Sequence, residues 1–454
     1  MTDSSLRVTA LCGFAGAGKS TLCAALAAQA AGRRVVQLAI GDPFDAMPQI
    51  AAHRDADAVI VELPAWAEPM VFAEACVSAG AYADDANEDD VESGLEPASV
   101  SDEPPVHAQI DTIVTVVDAV HFLTDLASSE TLAERGIAAP DHDDRTVGEV
   151  VIEQVEFCDV IVINHADRAD ETALERLRHV LAKINPRAAQ IVTQFGDVEI
   201  DAVVDARRFD FEAAASAPGW LMALEHDAGS LVDDDAFGVG MFVYRARRPF
   251  HPARLFALLH QEWQGVLRSK GYFWLASRHD MAGTLSQVGG TCRHGPAGYW
   301  WAAQPPSEWP DDAAFKAEIE ADWFSLPDAD GVETIGDRRQ ELVMIGIDLD
   351  REAWQRAFDA CLLDDAELYA GSDAWAAFDD PFPQWDEDHD HEHDHDDGYE
   401  RHDHDDHDSR HAHARSHDHA QADDRSTRTQ DNSGSGHDHR HAHDHDDDAS
   451  GHRH

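Results

Sequence analysis

The sequence predicts an α/β fold in which a parallel-sheet domain is followed by a smaller α+β domain and a disordered tail rich in histidine and aspartate. Three observations support this prediction. Runs rich in β-branched residues alternate with helical stretches in the first part of the chain, and aromatic strand-like runs follow. The last part, from Asp386, carries 18 of the 29 histidines and too few apolar residues to fold alone. We therefore expect domains over residues 1–225 and 236–372, and a tail over residues 373–454.

The first domain is predicted to contain a buried sheet. The segment RVTALC predicts its first strand, a glycine-rich loop follows, and a helix over Thr21–Ala31 comes next. Further strands are predicted at Arg34–Ile40, Asp57–Glu62, Asp111–Asp118 and Cys158–Asn164. Nearly continuous apolar strands of this kind are typical of a parallel sheet that is covered on both faces. An acidic stretch at about residues 82–105 interrupts the pattern, and we interpret it as a solvated loop inserted between two strands.

The second domain shows a different pattern. Strands are predicted at Met241–Arg247, Gly271–Ser277, Gly298–Gln304 and Arg339–Asp348, and helices near His251–Trp263 and at Asp350–Leu363. Seven of the 11 tryptophans lie in residues 236–372. This segment therefore has enough large apolar side chains to form a core of its own.

The composition excludes several classes of protein. Acidic residues outnumber basic ones by 89 to 34, and the formal net charge of −55 argues against binding to nucleic acid or to an anionic membrane. Only four of the basic residues are lysines, a balance that suggests a halophilic protein. The chain lacks an apolar run long enough for a membrane span and begins without the layout of a secretory signal, so we expect a soluble, cytoplasmic protein.

Residues Gly13–Ser20, GFAGAGKS, complete the pattern GxxxxGK[ST] between a predicted strand and a predicted helix, which predicts a P-loop NTPase domain. Backbone N–H groups of such a loop bind phosphate oxygens, and the helix N-terminus favours their negative charge. The lysine neutralises the β- and γ-phosphates, and the serine binds Mg²⁺. The predicted nucleotide-binding residues here are Gly13, Gly16, Ala17, Gly18, Lys19, Ser20 and Thr21. The alternative, an ordinary glycine-rich turn, leaves the lysine and serine unexplained.

A second element indicates which base is bound. The strand that ends at Asn164 continues as NHAD, at the spacing of the guanine-recognising NKxD element, with His165 in the lysine position. Asp167 can accept hydrogen bonds from N1–H and the 2-amino group of guanine, which adenine does not offer. Asn164 would connect this loop to the phosphate-binding loop and contact the base, and His165 would stack on the base. Two alternatives are adenine binding and a polar turn with a helix-capping aspartate.

Two acidic residues are candidates for the magnesium site. Glu62 ends the third predicted strand, where an acidic residue holds Mg²⁺ through water or orients the attacking water. Asp42 lies in the loop after the second strand, although aspartates are common in turns without any metal. We therefore predict Lys19 and Glu62 as catalytic residues, and Ser20 and Asp42 as magnesium ligands.

Several segments together resemble one family. GFAGAGKST, VIVELPAWAEP, TVVDA, EQVEFCDVIVINHAD and NPRA occur in the order seen in CobW-type GTPases, the class that includes the HypB and UreG metallochaperones. VYRARRPFHPARL, RSKGYFWLASR, LSQVGG, GYWWAAQ, RRQELVMIGID and DACLLDDAEL are similar to the CobW C-terminal domain. The resemblance covers roughly residues 5–370. It implies a Mg²⁺-dependent GTPase that couples hydrolysis of GTP to delivery of a metal, often zinc, to client proteins.

The chain departs from this family in two places. The family usually carries a CxCC metal-binding motif before the third strand, but residues 32–60 contain no cysteine. The family also has a threonine and a glycine where this chain has Pro64 and Ala65. Because proline lacks an N–H group and alanine is less permissive than glycine, we expect sensing of the γ-phosphate to be altered more than nucleotide binding.

The tail offers many imidazole nitrogens, which suit zinc, nickel, cobalt and copper. Its densest groups contain His389, His391, His393, His395, His439, His441, His443 and His445. We interpret them as a metal reservoir without fixed geometry, and the alternative is a solvated acidic tail. Elsewhere, Cys292 and His294 form a CxH pair that is a weaker candidate, and Cys12 and Cys23 beside the P-loop are expected to pack in the core.

Three functions are compatible with these features. The first is a GTPase that delivers a metal to a client metalloprotein, with slow turnover because the sequence identifies no arginine finger. The second is a metal-storage protein whose nucleotide domain binds GTP with little hydrolysis. The third is a P-loop kinase acting on a small molecule, and the similarity of the second domain to CobW proteins argues against it.

Overall fold

The computed structural model describes residues 6–85, 108–140, 142–215, 218–225, 236–325 and 335–385. The first part forms a six-stranded parallel sheet. Its strands are β1 (Leu6–Cys12), β2 (Val35–Ala39), β3 (Ala58–Glu62), β4 (Ala108–Asp118), β5 (Val160–Asn164) and β6 (Ala189–Val192). They lie in the order β2-β3-β1-β4-β5-β6, so the loops after β1, β3, β4 and β5 meet at one edge of the sheet.

Helices cover both faces of this sheet. They are α1 (Lys19–Ala28), α2 (Ala46–Ala51), α3 (Pro69–Asp85), α4 (Phe122–Leu126), α5 (Val147–Glu156), α6 (Glu171–Ile184), α7 (Phe211–Ala215) and α8 (Gly219–Glu225). Alternate residues of each strand enter different cores. In β3, Val59 and Val61 pack in the core that contains α3, α5 and α6, whereas Ile60 packs against α1.

The second part forms a five-stranded antiparallel sheet in the order β10-β9-β8-β11-β7. Its strands are β7 (Val239–Ala246), β8 (Val266–Trp274), β9 (Met281–Val288), β10 (Thr291–Tyr299) and β11 (Gln340–Ile347), with helices α9 (Pro252–Leu259), α10 (Ala313–Ala321), α11 (Arg351–Asp359), α12 (Asp365–Leu368) and α13 (Ser372–Trp375). Val343 and Ile345 of β11 join the core that contains α5 and α6, whereas Leu342 and Met344 pack with α9 and α11. Both faces of the antiparallel sheet are therefore buried.

The α/β fold class and the predicted strands of the parallel sheet are confirmed, with strand ends within three residues of the predicted ones. The helix predicted at Thr21–Ala31 occupies Lys19–Ala28 instead. The first residues of the predicted loop, up to Asp85, belong to α3 instead, because this alanine-rich segment favours helix. The rest of that stretch lies outside the described residues.

Two predictions for the second part are wrong. Residues 300–304 are not a strand: β10 ends at Tyr299, and Trp301–Ala303 form a 3₁₀ helix whose Trp301 and Ala302 N–H groups donate to the Asp337 carboxylate at 3.0 and 2.9 Å. Residues 373–385 belong to the folded part and not to the tail, because Trp375 and Phe382 are buried in aromatic cores.

Neither β6 nor β9 is predicted from the sequence, and the small and polar residues of β9 carry little strand signal. Among the helices that the structure describes, none combines the length and the apolar character that crossing a bilayer requires.

Candidate active site

The phosphate-binding loop joins β1 to α1 at the carboxyl edge of the parallel sheet. Gly13, Gly16 and Gly18 have φ values of 138°, 83° and 100°, a region that favours glycine. A Cβ atom at Gly13 would overlap the carbonyl oxygen of Val116, and one at Gly18 would overlap the side-chain amide of Asn164. Glycine at these two positions therefore allows the loop to lie directly against β4 and β5.

Lys19 is held against this loop. Its Nζ donates to the carbonyl oxygen of Gly13 at 2.5 Å and lies 3.5 Å from that of Phe14. Only 9% of the residue is exposed, and burial lowers the pKa of Lys19 although the charge of Glu62 opposes the shift. The ammonium group therefore lies among the backbone groups of a loop that is suited to binding phosphate.

Ser20 and Glu62 lie together at the same edge. The Ser20 hydroxyl donates to Oε1 of Glu62 at 2.6 Å, because Glu62 ends β3 directly beside β1. A hydroxyl and a carboxylate oxygen are ligand types that suit Mg²⁺. The Asp42 carboxylate accepts the N–H of Phe44 at 3.0 Å and caps the 3₁₀ helix Pro43–Asp45, and its role as a magnesium ligand stays a prediction.

Residues 63–68, which follow Glu62, are held in place by one side chain of α5 and by one from the residues that precede α5. Gln154 is 1% exposed, and its Nε2 donates to the carbonyl oxygens of Ala65 and Ala67 at 2.9 and 3.1 Å. Arg145 donates to the carbonyl oxygen of Trp66 at 3.0 Å. Three consecutive carbonyl groups are thus bound, although neither Gln154 nor Arg145 is predicted as a site residue from the sequence.

Asn164 connects three loops at the carboxyl edge. Its Nδ2 donates to the carbonyl oxygen of Ala17 at 2.9 Å, and its Oδ1 accepts the N–H of Gly196 at 3.3 Å. Asn164 is 1% exposed and ends β5. The NHAD loop, the phosphate-binding loop and the loop after β6 are therefore held in one arrangement.

His165 is oriented by Asp118, which the sequence analysis did not include among the site residues. The Nδ1 atom of His165 lies 2.8 Å from Oδ2 of Asp118, and the same oxygen lies 3.1 Å from Nδ1 of His121. Burial alone would raise the pKa of Asp118, but hydrogen bonds from the Val120 N–H, His121 and His165 outweigh it and hold that pKa below its ordinary value. Asp118 is thus a stable anion that fixes the His165 ring.

Asp167 and Phe195 lie in two of the loops that Asn164 connects. Asp167 is exposed in the 3₁₀ helix Ala166–Arg168, and Phe195 is 72% exposed in the loop after β6. Phe195 also has a φ of 56°, which is uncommon for a bulky residue. Its loop is fixed by the Ala166 N–H, which donates to the carbonyl oxygen of Thr193 at 3.1 Å. Strained backbone and an exposed ring together indicate a functional position that no sequence motif marks.

A cavity of about 320 Å³ adjoins the phosphate-binding loop. Its lining includes Phe14, Asp118, His121, Arg135 and Arg168. The Arg135 guanidinium donates to Asp125 at 2.8 Å and to Glu130 at 2.6 Å, so its position is set by two carboxylates. Arg168, within the described part of the chain, forms no ion pair. The structure therefore places basic groups beside the loop that the sequence could not assign to it.

The cysteines are unpaired and are mostly core residues. Cys12 and Cys23 are 0% and 4% exposed, which confirms the prediction that they pack in the core. Burial raises the pKa of every cysteine thiol, to about 11 for Cys23 and about 12 for Cys292. A protonated thiol is a poor metal ligand.

The described residues contain no group of three or more histidine, cysteine, aspartate or glutamate side chains arranged to hold a metal ion. The His294 ring packs edge-on against Phe382 at 4.8 Å, and burial lowers its pKa, so the Cys292–His294 pair is part of a packed region. The histidines at 389, 391, 393, 395, 439, 441, 443 and 445 lie outside the described residues.

Two curated proteins are similar to this chain. One is the zinc-regulated GTPase metalloprotein activator 1 of Dictyostelium discoideum, 34% identical over 287 residues that cover 62% of this chain and 58% of the relative. The other is a zinc chaperone of Mycobacterium tuberculosis, 30% identical over 280 residues that cover 62% of this chain and 63% of the relative. The chain thus spans less than two thirds of the length of each relative.

Two solved structures are also similar. The Zn(II)-bound YjiA GTPase from E. coli has 18% identity and a TM-score of 0.32, over 79% of this chain and 99% of that one. The hydrogenase maturation factor HypB from Archaeoglobus fulgidus has 14% identity and a TM-score of 0.25, over 42% of this chain and 81% of that one.

Models of two protein domains match the chain. Residues 39–192 match the nucleotide-binding domain of CobW/HypB/UreG, and residues 239–362 match the C-terminal domain of the cobalamin synthesis protein CobW. Together the two segments make up more than half of the chain, and their order is the one that the sequence motifs predict. The chain belongs to the CobW/HypB/UreG family and carries a CobW C-terminal domain.

Proposed function

We propose that the protein is a Mg²⁺-dependent GTPase whose hydrolysis cycle is coupled to delivery of a metal ion, with zinc as the first candidate, to client proteins. The observation that carries the proposal is the 2.6 Å contact between Ser20 and Glu62 beside the phosphate-binding loop. The Ser20 hydroxyl would bind Mg²⁺ and the Glu62 carboxylate would lie beside the γ-phosphate of a bound nucleotide. We also propose that the nucleotide domain spans residues 1–225 and that the second domain begins at residue 236.

In the proposed reaction a water molecule attacks the γ-phosphorus and the bond to the β-phosphate oxygen breaks, giving GDP and phosphate. Mg²⁺, when bound with GTP, neutralises charge on the phosphates. The Ser20 hydroxyl would hold the ion, and Lys19 and the loop N–H groups would stabilise the charge that develops on the phosphates. Glu62 would orient the attacking water. Turnover is expected to be slow, because Arg135 already pairs with two carboxylates.

The nucleotide base would lie between the NHAD loop and the loop after β6. The exposed Asp167 carboxylate can accept hydrogen bonds from the N1–H and 2-amino groups of guanine, which favours GTP over ATP. The His165 ring, fixed by Asp118, and the exposed Phe195 ring would stack on the base. Asn164 already uses both ends of its amide to position these loops.

Zinc is proposed as cargo because two relatives are named for zinc. Because burial raises the thiol pKa values of the described cysteines, these thiols are poor zinc ligands. The proposed zinc-binding sites are therefore the histidine groups near residues 389–397 and 439–448. Imidazole nitrogens on a chain of alternating histidine and aspartate can bind the ion without a fixed cage. The client is proposed to be a metalloprotein.

One observation favours the second candidate function, a metal store with little hydrolysis. Pro64 has no N–H group to offer the γ-phosphate, and residues 65–67 are already bound through their carbonyl groups. A segment fixed in this way would sense GTP weakly. In that case GTP would bind and be hydrolysed at a negligible rate.

Transfer of zinc to an apo-metalloprotein, measured for the full chain with GTP and Mg²⁺, distinguishes the two functions. We expect Lys19→Ala to lower GTP hydrolysis by about 10²–10³-fold and to slow zinc transfer to the rate seen without nucleotide. Unchanged transfer by a variant that no longer binds GTP would exclude a coupled GTPase and leave the store. Deleting residues 386–454 is expected to lower the number of zinc ions bound, and an unchanged stoichiometry would exclude the histidine groups.

A further inference from the structure

Arg145 lies between the segment that follows Glu62 and the start of α5. Its guanidinium donates to the Trp66 carbonyl at 3.0 Å and to Glu153 at 3.0 Å, and it also contacts Glu68. A bidentate pair with Asp143, at 2.9 and 2.6 Å, fixes the plane of the guanidinium. The side chain is 18% exposed. Residues 66 and 68 thus depend on a single arginine from another part of the chain.

The residue after Arg145 begins a capping box that is shared with the antiparallel sheet. Thr146 is the N-cap of α5: its N–H donates to Oε2 of Glu149 at 2.8 Å, and its hydroxyl accepts the Glu149 N–H at 3.3 Å. Arg293, on β10, donates to the same Glu149 oxygen at 3.1 Å and to the Asp144 carbonyl at 3.1 Å. Through Arg293 the antiparallel sheet therefore binds Asp144, which precedes Arg145, and Glu149, the second residue of the capping box.

The packing around Arg145 leaves room for it to move. A cavity of about 340 Å³ lies between α5 and the antiparallel sheet, and its lining includes Glu68, Arg145, Glu153, Lys270 and Arg293. The five N–H groups of Arg145 have five acceptor atoms within reach, two on Asp143 and one each on Glu68, Glu153 and Trp66. If the antiparallel sheet moved at Arg293, the capping box of Thr146 and Glu149 would move with it and shift Arg145. A shift of Arg145 would in turn move the backbone that follows Glu62.

We propose that Arg145 is a positioning residue for GTP hydrolysis, and that Arg293 transmits the position of the antiparallel sheet to it. The proposal rests on the GTPase function proposed above. Arg145 holds residues 66–68 so that Glu62, four residues earlier than Trp66, can orient the attacking water. Nucleotide binding does not depend on Arg145, because none of its partners belongs to the phosphate-binding loop or the NHAD loop.

The test compares Arg145→Gln, Arg145→Lys and Arg293→Gln in the full chain by two readouts. For Arg145→Gln we expect kcat for GTP to fall at least about tenfold, with the Kd for GDP and the KM for GTP changed less than about threefold. Arg145→Lys, which keeps the charge and one donor direction, should recover part of kcat. Hydrogen–deuterium exchange of residues 63–68 should rise in Arg145→Gln and also in Arg293→Gln, although Arg293 does not contact that segment.

Arg187→Gln is the matched control. Arg187 is 28% exposed and pairs with the buried Asp159, but its pair lies beside β5 and β6, away from residues 63–68. We expect this variant to keep both kcat and the exchange of residues 63–68. A wild-type chain that does not hydrolyse GTP overturns the proposed function. A wild-type chain that hydrolyses GTP no faster than Arg145→Gln overturns only the role of Arg145, and unchanged exchange in Arg293→Gln overturns the link to the sheet.

Discussion

The carboxyl edge of the parallel sheet and the charged layer between α5 and the antiparallel sheet are built in opposite ways. At the edge, glycines bring backbone groups close together, and most contacts join a side chain to a carbonyl or an N–H group. In the charged layer, Arg145, Arg268 and Arg293 pair with glutamates of α5, and the Arg268–Glu156 pair is only 3% and 2% exposed. The edge is suited to receive a ligand, whereas the layer is already saturated with its own charges.

This difference in construction suits the edge to binding nucleotide and the charged layer to fixing the residues that follow Glu62. A site that binds nucleotide needs free N–H groups and open space, which the edge provides. A layer that fixes residues 63–68 needs directed pairs, which arginine and glutamate provide at a desolvation cost. We therefore expect changes in the layer to alter stability as well as turnover, and changes at the edge to alter nucleotide affinity and turnover with little effect on stability.

The largest expected effect is on the charged layer. Arg268→Ala leaves the buried Glu156 carboxylate without its partner, and we expect the free energy of unfolding to fall by about 3–5 kcal/mol. Urea denaturation measures the change. Arg33→Ala is the control, because its pair with Asp201 is 36% and 82% exposed and should cost less than about 1 kcal/mol. Equal losses in the two variants would contradict the account of the layer.

The next effect is on the edge. Lys19→Ala removes the ammonium group beside the phosphate-binding loop, and we expect GTP turnover to fall by about 10²–10³-fold. The unfolding free energy should change little by comparison with Arg268→Ala. Steady-state release of phosphate and urea denaturation measure the two quantities. Turnover within a factor of about two of the wild type would show that hydrolysis occurs elsewhere.

A smaller effect is expected at Phe195. Removing an aromatic ring that stacks on a base weakens binding by about 1–3 kcal/mol, so Phe195→Ala should bind GTP and GDP less tightly by that amount. Phe195→Tyr keeps the ring and should bind as the wild type does. Phe195→Gly relieves the positive φ but lacks the ring, so it should behave like Phe195→Ala. Wild-type affinity in the glycine variant would mean that the ring does not touch the base.

A further effect concerns pH. Burial and the charge of Glu68 raise the pKa of Glu153 to about 8, against the attraction of Arg145. The folded protein thus holds this proton more tightly than the unfolded chain, and the resulting stability is complete below about pH 4.5 and lost as the pH rises towards 8.

Glu153→Gln cannot titrate and provides the comparison. Between about pH 5 and 8, the unfolding free energy of the wild type should fall relative to that of Glu153→Gln, as measured by urea denaturation at several pH values. A difference between the two proteins that does not vary with pH would exclude a raised pKa at Glu153.

The two regions also differ in how far the sequence predicts them. The phosphate-binding loop and NHAD are runs of neighbouring residues, so their spacing alone predicts where they lie. Arg145 and Glu68 are 77 residues apart, and Arg293 and Glu149 are 144 apart, so no local pattern connects them. The same limit explains residues 300–304, whose aromatic residues favour a strand until Asp337, 35 residues beyond Ala302, binds their N–H groups.

Isothermal titration of the full chain with GTP, GDP and ATP, in high salt with Mg²⁺, tests the central claim most directly. The Asp167 carboxylate and the connected loops around Asn164 predict that GTP and GDP bind at least about tenfold more tightly than ATP, because only guanine offers both donors to the carboxylate. Equal or tighter binding of ATP would contradict a guanine site, and with it the proposed function.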